Sequence, residues 1–253
     1  MTIIAIVQAR MSSRRLPGKV LNNILGRPML ALQIERLGRA RTADKLAVAT
    51  SNQADDDAIA ALCRRTVVAC FRGALDDVLD RFYRCALTHK ADHVVRLTGD
   101  CPLADPDIVD RVVRFHLKGG YDYTSNVAPP TWPDGLDVEV MKFSCLAEAH
   151  AEAQLSSERE HVTPFVRNRP ERYWLGNVER EPDLSGHRLT VDEPEDFEKI
   201  RLIYERLYPG NPAFTFDDVM TLLDEDADLA ALNAHIGRNE NMRAGLAKGK
   251  TRG

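Results

Sequence analysis

Short apolar runs alternate along the chain with longer amphipathic stretches, and this alternation limits the possible folds more than any other feature. Runs that are apolar throughout and too short for helices suit strands buried on both faces, and the amphipathic stretches suit helices covering such a sheet. Strands are expected at Ile3 to Gln8, Leu46 to Thr50, Val67 to Arg72, His93 to Leu97, Tyr121 to Thr124, Val138 to Lys142, Tyr173 to Val178 and Arg188 to Val191. Helix starts are marked between them. Pro28 opens the stretch to Ala40, Asp55 and Asp56 precede Ile59 and Leu62, Pro106 opens Asp107 to Leu117, and Pro194 opens Glu195 to Tyr208. The pattern predicts an α/β fold, a mostly parallel sheet with helices on both faces, forming one domain over residues 1–237. A loop-like segment precedes residue 138, residues 138–178 read as a small insertion, and 238–253 read as a basic, frayed tail.

Composition excludes several classes of function. At 253 residues, 44% apolar and 28% charged, the chain can bury a full core. A net charge of −4 gives no general basic footprint, so no nucleic-acid partner is expected. Five cysteines, an odd number with no CxxC pair, argue against a disulfide framework and a zinc knuckle. The first apolar run is short and leads into arginines, and no run approaches the roughly 20 residues of a membrane span. A cytoplasmic protein without a membrane partner is expected.

The most informative twelve residues are Gln8 to Lys19, QARMSSRRLPGK, directly after the first strand. A buried strand that empties into a loop carrying Arg10, Arg14, Arg15, Lys19 and two hydroxyls offers fixed cations and many donors, which a polyphosphate needs. Pro17 fixes one backbone dihedral and Gly18 permits close backbone approach beside Lys19, features that a merely solvated basic loop does not require. No GxxxxGK[ST] and no GxGxxG accompanies the first strand, so side chains must hold any triphosphate. Concentrated phosphate charge normally arrives with magnesium, which calls for carboxylates. Asp100 in TGDCP and Asp192 in VDEPEDF each follow a strand, where an α/β sheet presents side chains at its carboxyl edge. Each also precedes a proline by two residues, so the competing reading is that both are helix N-caps.

These segments, with FRGALDDVLDRF, WPDGLDVEV and REHVTP, resemble the cytidylyltransferase family of surface and spore-coat polysaccharide biosynthesis. That family is related to the enzymes that make CMP-activated acidic keto sugars. The resemblance covers roughly Ile3 to Leu207. It implies a nucleotide-diphospho-sugar transferase, Rossmann-like fold, with CTP and a sugar as substrates, Mg²⁺ as cofactor, release of pyrophosphate, and a homodimer paired through an insertion, here 138–178. By position, Arg10, Ser13, Arg15 and Lys19 match the phosphate-binding loop, and Asp100 and Asp192 match the metal-holding aspartates. The family usually has Gly then Ser after its Arg-Met, where this chain has Ser12 and Ser13. If that position requires positive φ, Ser12 is strained. Related purine-nucleotide transferases carry a glycine pair where Ala9 and Arg10 stand, so a pyrimidine fits this loop better than a purine.

In the chemistry this implies, an acceptor hydroxyl attacks the α-phosphorus and charge shifts to the departing pyrophosphate. Arg10, Arg15 and Lys19 would sit on the leaving side and Asp100 and Asp192 on the metal. Arg72 and Arg81 are read as facing the nucleotide, with Asp76, Asp77 and Asp80 solvated at a helix start. Asp137 and Glu139 share one strand face, where they either bind sugar hydroxyls or face water. Arg159 and His161 are candidates for acceptor recognition, although a histidine in such a setting is more often a surface or capping residue. A glycosyltransferase of the same fold would show a DxD where TGDCP supplies one aspartate, and a non-catalytic sugar-nucleotide binder would have lost Lys19 or an aspartate.

Overall fold

The computed structural model describes residues 1–238. Nine strands appear in chain order: β1 Ile3–Gln8, β2 Asn23–Ile24, β3 Arg27–Pro28, β4 Lys45–Ser51, β5 Ala69–Gly73, β6 His93–Thr98, β7 Tyr123–Ser125, β8 Glu139–Lys142 and β9 Leu175–Asn177. Seven of them form one sheet in the order β5-β4-β1-β6-β8-β7-β9, while β2 and β3 pair as a separate antiparallel ribbon. Pairing is parallel from β5 through β6 and again between β7 and β9, and antiparallel where β8 lies between β6 and β7. The reversal at β8 turns the start of that strand toward the edge where β1 and β6 end, which brings Glu139 opposite Arg96.

Among the described residues, ten α-helices surround the sheet: α1 Met29–Leu37, α2 Asp57–Thr66, α3 Val78–Thr88, α4 Pro106–Gly119, α5 Phe143–Glu152, α6 Ser156–His161, α7 Pro164–Arg167, α8 Pro194–Leu207, α9 Phe216–Glu225 and α10 Ala227–Ala231. Alternation along β1 assigns the two faces. Ile3, Ala5 and Val7 join the core formed with α1, α2, α4, α8 and α9, and Ile4 and Ile6 join the core formed with α3, α5 and α7. The expected insertion, 138–178, holds β8, α5, α6, α7 and β9. The expected tail at 238–253 lies outside the described residues, apart from Arg238.

One expected strand is absent. Arg188 to Val191 makes only an isolated bridge, Asp134 to Arg188, and does not enter the sheet. Its backbone is bonded to loops instead: Leu189 N donates to Asp134 O at 2.6 Å and Val191 N to Asp100 O at 2.8 Å. Gly135, at φ 105°, makes this approach possible, because a Cβ there would lie 2.4 Å from the backbone of Leu189 and Thr190. The segment is apolar because it crosses the carboxyl edge under cover, with Leu189 and Val191 fully buried.

Candidate functional site

The basic loop leaves β1 and is shaped by two anchors. Met11 N donates to Asp56 Oδ1 at 2.7 Å, and the buried Asp56 carboxylate also accepts from Ser51 N and Oγ. Gly18, at φ 71°, then turns the chain into a short 3₁₀ turn over Lys19–Leu21. The positive φ of this loop belongs to Gly18. Ser12 is not among the residues with positive φ, so the strain expected for a serine there does not arise.

This turn carries Lys19 inward, away from solvent. Its ammonium donates to Asp192 Oδ1 at 2.8 Å, Asp100 Oδ2 at 3.2 Å and Val191 O at 2.6 Å, so one cation joins the two aspartates. Arg15 reaches the same group from the loop, at 2.8 Å from Asp192 Oδ2 and 2.7 Å from Glu193 Oε1. Arg188 approaches from below at 3.2 Å from Asp192 Oδ2 and continues to Asp134 and Asp196. Burial pushes the Asp192 carboxyl up, but Lys19, Arg15 and Arg188 outweigh it and hold the group below the usual aspartate range. Burial also opposes the charge on Lys19, yet the two aspartates raise its pKa above the usual lysine value.

Neither aspartate is a helix cap. Asp105 caps α4, accepting from Asp107 N and Ile108 N, and Glu193 caps α8 in a box with Asp196. The capping alternative therefore fails for both, and their carboxylates are left to face Lys19.

A second polar group continues along the edge. Glu139, buried, pairs with Arg96 and accepts from Tyr123 Oη at 2.5 Å. Burial raises the Glu139 pKa and Arg96 lowers it, with a net downward shift. His161 lies in the field of Glu160, Arg96, Arg167 and Glu139, and burial lowers its pKa. Asp137, partly exposed, accepts from Arg238 Nη2 at 2.8 Å, while desolvation and the neighbouring Asp134 and Glu139 push its pKa up. Alongside opens a cavity of about 330 Å³ lined by Tyr123, Ser125, Ala128, Arg167, Asn168 and Asn177, among others.

The remaining expected residues are placed differently. Ala9 is buried, Ser12 is exposed, and Ser13 Oγ accepts from Leu16 N at 3.4 Å within the loop. Arg10 projects to within 3.9 Å of Glu160 Oε1. Arg72 is a structural tie, its guanidinium bonded to Ser51 O, Gln53 O and Asp57, so all three of its nitrogens hold the turn after β4. Arg159 likewise joins α6 to the start of α3, with bonds to Asp77 at 2.6 and 3.0 Å and to the carbonyls of His150 and Ala153. Asp77 and Asp80 are correspondingly not merely solvated: Asp77 caps α3 and binds Arg159, and Asp80 binds Arg84 and His150. Arg81 is fully buried, and its Nε and Nη1 have no hydrogen-bond partner among the described residues. Burial and the neighbouring Arg10 depress its pKa. A buried guanidinium with two unmatched donors is suited to an anionic ligand.

Sequence reasoning missed Asp56, Asp134, Arg188 and Asp196. Local pattern reads Asp56 as part of a helix start and Arg188 as the first residue of a strand, and it says nothing of their long-range partners Met11 and Asp134, or of the contacts Arg188 makes with Asp192 and Asp196 once it leaves the sheet. Among the described residues no group of three or more His, Cys, Asp or Glu side chains is arranged to hold a metal ion. Two carboxylates converging on one cation do fit Mg²⁺, which commonly takes one or two carboxylates and completes its shell with waters and phosphate oxygens.

The sequence profile described as cytidylyltransferase matches residues 4–225. The spore coat polysaccharide biosynthesis protein of Bacillus subtilis (strain 168) is 34% identical over 235 residues, covering 90% of this chain and 96% of that protein. The 3-deoxy-manno-octulosonate cytidylyltransferase of Anaeromyxobacter sp. (strain Fw109-5) is 34% identical over 155 residues, 60% of each chain. A solved cytidylyltransferase from Leptospira borgpetersenii superposes with a TM-score of 0.87 at 30% identity, covering 91% of this chain and 97% of that one.

Proposed function

This chain belongs to the cytidylyltransferase family, and we propose that it transfers CMP from CTP to a hydroxyl of an acidic keto sugar, releasing pyrophosphate, for surface polysaccharide synthesis. The observation that carries this reading is the single ammonium of Lys19 held between Asp100 and Asp192 beneath an arginine-bearing loop. Two carboxylates trained on one point at the carboxyl edge are a place for a divalent cation, and the adjoining Arg10 and Arg15 are a place for phosphate charge. Arg81, with its unmatched donors, adds a third cation for the nucleotide.

Asp100 and Asp192 would hold Mg²⁺, which when bound neutralises phosphate charge and lowers the barrier to attack at phosphorus. Lys19 keeps the two carboxylates converged, so little reorganisation is needed when the nucleotide arrives. Arg10 and Arg15 bind the departing β- and γ-phosphates, where negative charge accumulates in the transition state. The acceptor occupies the cavity beside Tyr123 and Arg167. Arg167 and His161 meet its carboxylate there, and Glu139, fixed by Arg96 and Tyr123, accepts from its hydroxyls. The relationship to the octulosonate enzyme supports the choice of an acidic keto sugar. A second copy docks through 138–178, a segment that exposes Leu155 and Trp174, and sedimentation of the full chain reads this directly.

Pyrophosphate release tests the reading, scored across the four common nucleoside triphosphates with a panel of keto-sugar acids. Release with CTP, Mg²⁺ and at least one keto acid is expected. Release that needs a neutral sugar, or that runs equally well with GTP, contradicts it.

A further inference from the structure

Behind Asp192 lies a chain of buried polar groups that does not touch the nucleotide side. Asp196 has no exposed surface and accepts five hydrogen bonds: from Arg188 Nε and Nη2, each at 2.9 Å, from the backbone nitrogens of Asp192 and Glu193, each at 2.9 Å, and from Asn233 Nδ2 at 2.8 Å. It therefore fixes the turn that carries Asp192 and the guanidinium that pairs with it. Asn233, 1% exposed just beyond α10, also donates to Arg188 O at 3.1 Å and accepts from Lys199 Nζ at 2.9 Å. A lysine ammonium has only donors, so Lys199 sets the amide of Asn233 with Oδ1 toward itself and Nδ2 toward Asp196. Lys199 is held in turn by Ala230 O at 2.9 Å. The order of contact is Lys199, Asn233, Asp196, Arg188, Asp192, joining α8 and the end of α10 to the candidate site.

We infer that Asn233 and Asp196 are positioning residues for divalent-metal binding at Asp192. The inference rests on the reading that Asp192 helps hold that ion. Mg²⁺ demands near-ideal geometry, so a carboxylate free to rotate holds it less well than one pinned by two arginines, a lysine and a fixed backbone turn. A group whose only role is to brace a helix changes melting behaviour. One that orients a metal ligand also changes metal affinity.

The test uses the full chain with Mn²⁺ as probe, its binding read by electron paramagnetic resonance with and without CTP. In Asn233→Ala the Mn²⁺ dissociation constant in the presence of CTP is expected to rise several-fold, short of the roughly 10-fold or more that follows loss of a group bonded directly to a metal ligand, because Asn233 acts through Asp196 and Arg188. CTP affinity without metal should be unchanged. Lys199→Met, which removes the group that orients the amide, is expected to weaken Mn²⁺ in the same direction and serves if Asn233→Ala does not fold. Parental Mn²⁺ affinity in a folded variant of either kind overturns the positioning role alone. A parent chain that binds no Mn²⁺ in the presence of CTP overturns the reading of the site, and the positioning role with it.

Discussion

Three cations converge on Asp192, one of them the ammonium it shares with Asp100, and this asymmetry changes what substitution should do. If both aspartates were helix caps, asparagine would replace either one with little loss, since the two residues cap about equally well. Because Asp192 instead faces Lys19, Arg15 and Arg188, its neutralisation takes one carboxylate charge from three partly buried cations at once, leaving Lys19 with Asp100, Arg15 with Glu193 and Arg188 with Asp134 and Asp196. In the absence of metal, Asp192→Asn should cost about 1–3 kcal/mol. Asp100→Asn should cost less, because Lys19 keeps Val191 O and Asp192 as partners. Thermal melts of the two variants side by side decide this, and coincident melts would contradict the pairing described. Lys19, Asp100 and Asp192 were legible in the sequence because their chemistry sits next to strand ends and breakers. Arg188 and Asp196 were not, because one lay at the end of an apolar run and the other inside a helix-opening acidic stretch.

Among the elements, α4 carries a feature that its amphipathic pattern conceals. His116 lies on its buried face with no exposed surface, its Nε2 3.0 Å from His93 Nδ1 on β6 and its Nδ1 3.0 Å from Thr124 Oγ1 on β7. Burial, then the neighbouring His93, lowers the His116 pKa to about 4 from 6.5. The folded state therefore favours the neutral ring, and the unfolded chain takes up a proton first as the pH falls. The contribution of this residue to stability is expected to be full above about pH 6.5, to decline by about 3 kcal/mol down to about pH 4 and to level off below it. Denaturant melts of the parent and His116→Gln across that window should show a shallower decline in the variant, and parallel curves would remove His116 from the account. The strand formed by Ile3 to Gln8 was legible to the residue because it is buried on both faces. The segment Arg188 to Val191 looks the same by composition, but its backbone partners are the loops at Asp100 and Asp134, which no local pattern encodes.

For the whole molecule, alternating runs were enough to specify a mostly parallel sheet covered on both faces, since a strand apolar throughout has few other stable settings. They did not indicate that β8 runs antiparallel between β6 and β7, a matter of connection rather than composition. That reversal sets Glu139 opposite Arg96, near the carboxyl end of β6. Arg72 and Arg159 show the limit of reading cations from sequence. Both lie in family motifs, yet both hold the scaffold together. On the proposed reading, Lys19 and the two aspartates organise a CTP site. Calorimetric titration of the full chain with CTP and GTP in Mg²⁺, repeated on Lys19→Ala, tests this reading. Binding of CTP, much weaker binding of GTP, and a loss of about 1.5–3 kcal/mol of CTP affinity in the variant are expected. Equal heats for CTP and GTP, or parental CTP affinity in a folded Lys19→Ala protein, would contradict it.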